Sequence, residues 1–160
     1  MKKTFLALLT MTLFACNSND GKQIPDFSFN TLDGQTITSE SIKGEATIIC
    51  VWATWCGDCI REIPELNALV DKYSDNDKVN FIALSDENEA TVNKSLVRFP
   101  FKFQHVVNAK EYSDQLSTGI TKHFPQVLVV GKDLKVIFDV TENKEKIFNV
   151  LDNHIQDILK

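Results

Sequence analysis

A strand-to-helix junction limits what this chain can fold into more than any other feature. Thr47 to Ala53 reads TIICVWA, a dense run of β-branched, apolar and aromatic residues, and Cys56 and Cys59 follow almost at once. Such a run is expected as a central strand buried on both faces. Beyond Cys56 the period changes. Cys59, Glu62 and Ile63, Leu66, Leu69 and Val70, and Tyr73 recur every three or four residues, which marks one stripe of a helix. Pro64 falls inside that stripe, removes one backbone hydrogen bond and is expected to kink the helix. Val79 to Ser85 (VNFIALS) is a second buried strand, so strand, helix and strand succeed one another as a βαβ unit.

Two cysteines separated by two residues at such a junction have a specific use. On the first turn of a helix their sulfurs come within disulfide range, which requires Cα atoms roughly 4.4–6.8 Å apart. Cys56 falls at the helix N-terminus, where free N–H groups and the macrodipole favour a thiolate. The thiolate is the attacking species in disulfide exchange. Cys56 is therefore expected as the nucleophile. Cys59, on the inward stripe and less accessible, is expected to resolve the mixed disulfide. Half of a zinc site is the rival reading. A closed zinc site takes four Cys or His ligands, usually as two short-spaced pairs. Here Cys50 stands alone in the apolar run, Cys16 lies near the N-terminus, and His105, His123 and His154 are scattered. A purely structural disulfide would close a very short loop.

Elsewhere the pattern alternates between strands and helices. Asp26 to Asn30 alternates, Leu32-Asp33-Gly34-Gln35 carries a turn signal, and Thr36-Ile37-Thr38 follows, which predicts an N-terminal hairpin. Glu87 to Val97 suits a second helix, Phe99 to Val107 ends in a short strand, and Glu111 to Ser117 suits a short helix. Gln126 to Val130 and Leu134 to Val140 flank Gly131-Lys132-Asp133 as an antiparallel hairpin. Glu142 to Lys160 is an amphipathic helix with Ile147, Val150, Leu151, Ile155 and Ile158 on one face. The order predicts an α/β domain with a central mixed sheet flanked by helices, an N-terminal hairpin and a central insertion. At 160 residues the chain suffices for one domain with a real core.

The first residues differ in character. Met1 to Thr4 is short and positive, and Phe5 to Ala15 (FLALLTMTLFA) is a mostly apolar run. It is shorter than the about 20 residues a membrane-spanning helix needs and fits the apolar core of a secretory signal. Leu13, Ala15 and Cys16 resemble the lipobox of bacterial lipoprotein signals, in which the Cys is acylated and becomes the new N-terminus; Phe14 is bulkier than the usual residue there. The resemblance implies a lipid anchor at Cys16, each buried methylene of which adds about 0.8 kcal/mol. Asn17 to Gln23 (NSNDGKQ) is polar and reads as a linker. The expected organisation is a signal peptide over 1–15, a lipidated anchor and linker over 16–23, and the folded domain over 24–160. Such a protein is exported and anchored to a bacterial membrane, facing the periplasm or the exterior. The net charge is −5; without the first sixteen residues, 15 basic stand against 22 acidic residues, a net of −7. That argues against a general nucleic-acid binder, which needs clustered positive charge.

The run Trp55-Cys56-Gly57-Asp58-Cys59 after an apolar strand, with Glu62-Ile63-Pro64 just downstream, resembles the TlpA/ResA-type thioredoxin-like reductases. The likeness in element order covers Ile24 to Lys160. It implies a thioredoxin-like fold, extracytoplasmic disulfide chemistry, Cys56 as nucleophile, Cys59 as resolving thiol, a glutamate near the disulfide at Glu62, and Pro125 as a cis-proline facing the cysteines. Glu62 shares the stripe of Cys59, so its carboxyl is expected to be desolvated, raised in pKa and able to trade a proton with Cys59. The alternative is a helix-edge glutamate turned to solvent. A cis X-Pro bond is a minority state, and the backbone at Pro125 would receive a substrate peptide by strand addition. Phe124 departs from the small or β-branched residue usual before this proline.

Trp55 is expected to shield the disulfide and offer an apolar contact surface, with a core role as the alternative. Cys50 stands six residues before Cys56, where thioredoxins place a buried acid; the expected role is a small buried hydrophobe. Asp58 either disfavours the Cys56 thiolate or simply suits the first helical turn, paired with Arg61. His105 and His154 are expected as surface or packing residues.

The function these features predict is a thiol–disulfide oxidoreductase that reduces extracytoplasmic protein disulfides. No segment suggests a nicotinamide or flavin site, so no cofactor is expected and an upstream thiol reductant is. Two alternatives use the same residues. One is a disulfide isomerase or oxidase. The other is a copper metallochaperone in which His123 joins Cys56 and Cys59, although related copper proteins carry a Cys-x-x-x-Cys spacing. A thiol peroxidase lacks here the threonine-rich setting of a peroxidatic cysteine.

Overall fold

Every residue of the strand Ala46–Val51 is buried, as its apolar run predicts. The computed structural model describes residues 21–117, 123–140 and 146–160. Its elements follow as β1 (Ser28–Asn30), β2 (Thr36–Thr38), β3 (Ala46–Val51), α1 (Gly57–Lys72), β4 (Val79–Leu84), α2 (Glu89–Arg98), β5 (Gln104–Val106), α3 (Lys110–Leu116), β6 (Gln126–Val130), β7 (Val136–Asp139) and α4 (Ile147–Leu159). The hairpin β1–β2 stands as its own antiparallel pair. The other strands form one mixed sheet in the order β5-β4-β3-β6-β7. β3 runs parallel to β4 and β4 to β5, whereas β6 is antiparallel to β3 and to β7. This is the thioredoxin-like arrangement, with α2, β5 and α3 lying between β4 and β6.

The alternation of β3 divides the core in two. Ala46, Ile48 and Cys50 belong to one apolar cluster, with Cys59, Ile63, Leu66 and Leu69 of α1, Val92 of α2, and Val150, Leu151 and Ile155 of α4. Ile49 and Val51 belong to the other, with Tyr112 and Leu116 of α3 and with Phe27 and Ile37 of the hairpin. A strand covered on both faces has no polar alternation to show, which is why its sequence reads as one apolar run.

Several boundaries differ from expectation. α2 begins at Glu89, because the side chain of Asn88 accepts the N–H of Thr91 at 3.0 Å and caps the helix there. Glu87 therefore lies in the preceding loop and not in the helix. α1 runs unbroken through Pro64; its buried stripe on both sides of the proline keeps both halves on the sheet. The described part of the last helix starts at Ile147; residues 141–145 of the expected helix lie outside the described residues. So do residues 1–20, on which the expected signal peptide and the expected anchor at Cys16 fall. The folded unit reaches slightly upstream of Ile24. Gln23 bridges to Lys135, and Val136 donates to the Lys22 carbonyl at 2.9 Å. None of the described helices is long and apolar enough to cross a membrane.

The register fixes which loops meet. Val51 lies opposite Leu84 of β4 and Gln126 of β6, and Leu84 lies opposite Val106 of β5. The loops that leave β3, β4 and β5 and the one that enters β6 thus share one end of the sheet. The β6–β7 turn and the first described residues share the other, where Ile24 donates to the Leu134 carbonyl at 3.0 Å.

Candidate active site: the Cys56–Cys59 disulfide

Between β3 and α1 the chain is steered by a few backbone bonds. Trp52 donates to the Leu84 carbonyl at 3.0 Å, extending the β3–β4 ladder by one residue, and Cys56 donates to the Ala53 carbonyl at 3.1 Å to close a turn. Cys56 is the N-cap of α1, with φ −81° and ψ 106°. Its sulfur accepts the N–H of Cys59 at 3.1 Å. The cysteine thus takes the place that serine or aspartate fills at other helix starts, with its sulfur among the free N–H groups. Cys56 and Cys59 are joined in a disulfide, with an S–S distance of 2.17 Å and Cα atoms 5.3 Å apart.

The expected difference in accessibility between the two is small. Cys56 is 6% exposed and Cys59 3%. What separates them is their place on the helix: one caps it, and the other lies inside its first turn on the buried stripe.

Trp55 is 71% exposed, so the core role is excluded for it; that role belongs to Trp52, which is fully buried. The Trp55 ring meets Phe124 edge to face, with centroids 5.4 Å apart. The Phe124–Pro125 peptide bond is cis, as the resemblance implied. Pro125 precedes Gln126, the partner of Val51, so the cis bond lies at the same end of the sheet as the disulfide. His105 is buried, its Nε2 2.9 Å from the Phe101 carbonyl, and His154 packs on Phe138 with tilted rings and centroids 4.2 Å apart; both are packing residues.

Glu62 is half-buried, and its Oε2 is enclosed without a hydrogen-bond partner among the described residues. Burial pushes its carboxyl above the ordinary range, the negative charges of Asp58 and Glu65 push the same way, and Arg61 opposes them. Cys50, buried in the same apolar cluster as the disulfide, has its thiol pushed up by burial and then by the charge of Glu62. Asp58 is exposed and ion-paired with Arg61, as the i, i+3 spacing predicts.

Glu87 is the site residue that the sequence did not reveal. Its Oε2 accepts the Thr54 N–H at 2.7 Å and its Oε1 accepts the Thr54 hydroxyl at 2.7 Å. No spacing rule links residues 33 positions apart. The one available signal was an acidic residue at the carboxyl end of a parallel strand beside the cysteine-bearing one, where such sheets gather their functional groups.

Comparison with known proteins agrees with this geometry. The model of the AhpC/TSA family matches residues 21–138. The chain belongs to the AhpC/TSA family. Among relatives within reach of this AhpC/TSA member, the thiol-disulfide oxidoreductase ResA of Bacillus cereus is 29% identical over 139 residues, covering 86% of this chain and 78% of that protein. The thiol:disulfide interchange protein DsbE of Pseudomonas fluorescens is 32% identical over 101 residues, covering 62% and 54%. A solved thiol:disulfide interchange protein of the thioredoxin family from Chlorobium tepidum superposes with a TM-score of 0.72 at 23% identity, over 88% of this chain and 97% of that one. The fold and the family are those expected of a thiol–disulfide oxidoreductase. No group of three or more His, Cys, Asp or Glu side chains placed to hold a metal ion occurs among the described residues.

Proposed function

We propose that this AhpC/TSA-family protein is a thiol–disulfide oxidoreductase that reduces disulfides of proteins outside the cytoplasm. The observation that carries the reading is the Cys56–Cys59 disulfide at the cap of α1, with the Cys56 sulfur held against the Cys59 N–H. In the reduced protein the Cys56 thiolate attacks one sulfur of a substrate disulfide. A Cys56–substrate bond forms, and the other substrate sulfur leaves as a thiolate and takes a proton. Cys59 then loses its proton, with Glu62 as the nearby carboxylate suited to accept it, and attacks the Cys56 sulfur. The mixed disulfide breaks, the second substrate sulfur leaves, and two electrons have passed to the substrate. An upstream dithiol must return the couple to its reduced form. Trp55, Phe124 and Pro125 form the surface on which a substrate peptide lies, with Pro125 offering backbone for strand addition.

The residues over 1–15 act in this reading as a signal peptide. Cys16 is the lipidated anchor and 17–23 the linker to a domain over 24–160, which faces the periplasm or the exterior. Export suits a dithiol couple that acts where disulfides persist.

Cys56→Ser is expected to abolish reduction of a protein disulfide, and Cys59→Ser to accumulate mixed disulfides that non-reducing electrophoresis resolves. Full activity in either variant would refute the assignment. The reduction potential sets the direction: equilibration with glutathione is expected to place it well below the strongly oxidising end, and a value near about −120 mV would make the protein an oxidase instead.

A further inference from the structure

The carboxylate of Glu87 occupies an unusual place for a side chain outside the redox motif. It receives both polar hydrogens of Thr54, the residue immediately before Trp55 and Cys56. Glu87 is itself held from three directions. Its N–H donates to the Ser85 hydroxyl at 3.2 Å, that hydroxyl donates to its Oε2 at 3.3 Å, and its carbonyl accepts the N–H of Asn108 at 2.9 Å. Asn108 has a φ of 53°, a left-handed conformation in which asparagine is among the tolerated residues. Ser85 in turn receives the Ala109 N–H on its carbonyl at 2.9 Å. One carboxylate therefore ties the loop after β3 to the loop after β4, and through it to the loop after β5.

The Thr54 N–H has no ladder partner, since β3 pairing ends with the Trp52 N–H on Leu84. Without Glu87 it would have to find water, and Thr54 would lose both of its hydrogen bonds to the loop after β4. A charge-assisted pair of bonds on adjacent groups of one residue fixes direction as well as distance. Trp55 is largely exposed and packs on one side against Phe124, so the anchor at the preceding residue contributes to aiming it.

We propose that Glu87 is a positioning residue for the redox loop: it fixes Thr54 and thereby sets how Trp55 and Cys56 meet a peptide disulfide. The proposal rests on Cys56 as the attacking sulfur. It places the effect of Glu87 on the encounter with a bulky substrate and not on the reactivity of the bare thiolate.

The test uses the full chain carrying Glu87→Ala, Glu87→Gln or Thr54→Val and two reactions of the reduced protein. One is reduction of insulin disulfides, which needs the docking surface. The other is alkylation by iodoacetamide, read on the plateau above the thiol titration, which does not. Glu87→Ala is expected to slow insulin reduction by about tenfold or more, the scale on which misplacement of reacting groups acts, with the alkylation plateau unchanged. Glu87→Gln keeps an acceptor for the Thr54 N–H and is expected to restore most of the rate. Both changes remove a negative charge near the loop, so both are expected to move the alkylation midpoint to lower pH. Thr54→Val deletes only the hydroxyl bond, leaves the backbone bond, and is expected to fall between wild type and Glu87→Ala. It carries the test alone should Glu87→Ala not fold.

Insulin reduction at the wild-type rate in Glu87→Ala or Thr54→Val overturns the proposal. So does a Glu87→Gln as slow as Glu87→Ala, or an equal loss in both reactions. Insulin reduction that survives Cys56→Ser is a different failure, that of the underlying nucleophile assignment.

Discussion

At the scale of single residues, the disulfide pair was readable because its chemistry depends on local spacing. Two residues between cysteines, an apolar strand before them and a helical stripe after them suffice to define the cap geometry. Glu62 was readable for the same reason, as a polar residue on an inward stripe. Its raised carboxyl has a consequence for stability. The folded state holds the Glu62 proton more tightly than the unfolded chain does, so its contribution is fully present below the ordinary carboxylate pKa and is lost as pH rises through the raised value. Glu62→Gln is therefore expected to flatten that part of the pH dependence of the urea midpoint and to shift the thiol titration of the reduced protein. A variant whose pH profile matches wild type in both would make Glu62 a bystander. Trp55 supports a contrasting expectation: its exposure means that Trp55→Ala should leave the unfolding free energy read from urea denaturation within about 0.5 kcal/mol of wild type while raising KM for a peptide disulfide. Glu87 was not readable, because its partner Thr54 is a neighbour only through the pairing of β3 with β4.

At the scale of elements, type and order were legible and ends were not. The hydrophobic period decides whether a segment is strand or helix, but capping decides where it starts. Asn88 moved the start of α2 past Glu87. α4 has no side-chain cap of its own at Lys146; instead Glu65 of α1 accepts the N–H of Phe148 at 3.1 Å. That cap comes from 83 residues away and is invisible to any local rule. Glu65→Ala is expected to cost about 0.5–2 kcal/mol, the usual scale for a lost helix cap, read from urea denaturation. It should also bring the Glu62 carboxyl down, since Glu65 is one of the charges that raise it. A second tie joins the same helices: Asp152 of α4 accepts from Lys72 at 2.6 Å and from the Tyr73 hydroxyl at 2.8 Å.

At the scale of the whole molecule, the mixed sheet followed from the sequence because a βαβ unit and a terminal hairpin leave few ways to assemble a two-faced core. What the order of elements did not state was that the N-terminal hairpin would stay outside the main sheet, covering one face through Phe27 and Ile37. The face under α4 depends on Leu151, which is fully buried; Leu151→Ala is expected to lower stability by about 2–5 kcal/mol, the range for such core truncations. A chain beginning at Gly21 is expected to fold and to retain the redox couple. One beginning at Ile24 loses the Gln23–Lys135 bridge and should unfold at lower urea.

The opposed ends of the sheet have a practical side. Chain entry lies beside the β6–β7 turn, and the disulfide lies beyond the far end of β3. A resin, an electrode or a fused carrier joined ahead of Gly21 therefore leaves the exposed Trp55 and the disulfide end of the sheet facing solution, so an immobilised form should keep the turnover of the free protein. The same attachment made through the loop that holds Phe124 would blind it.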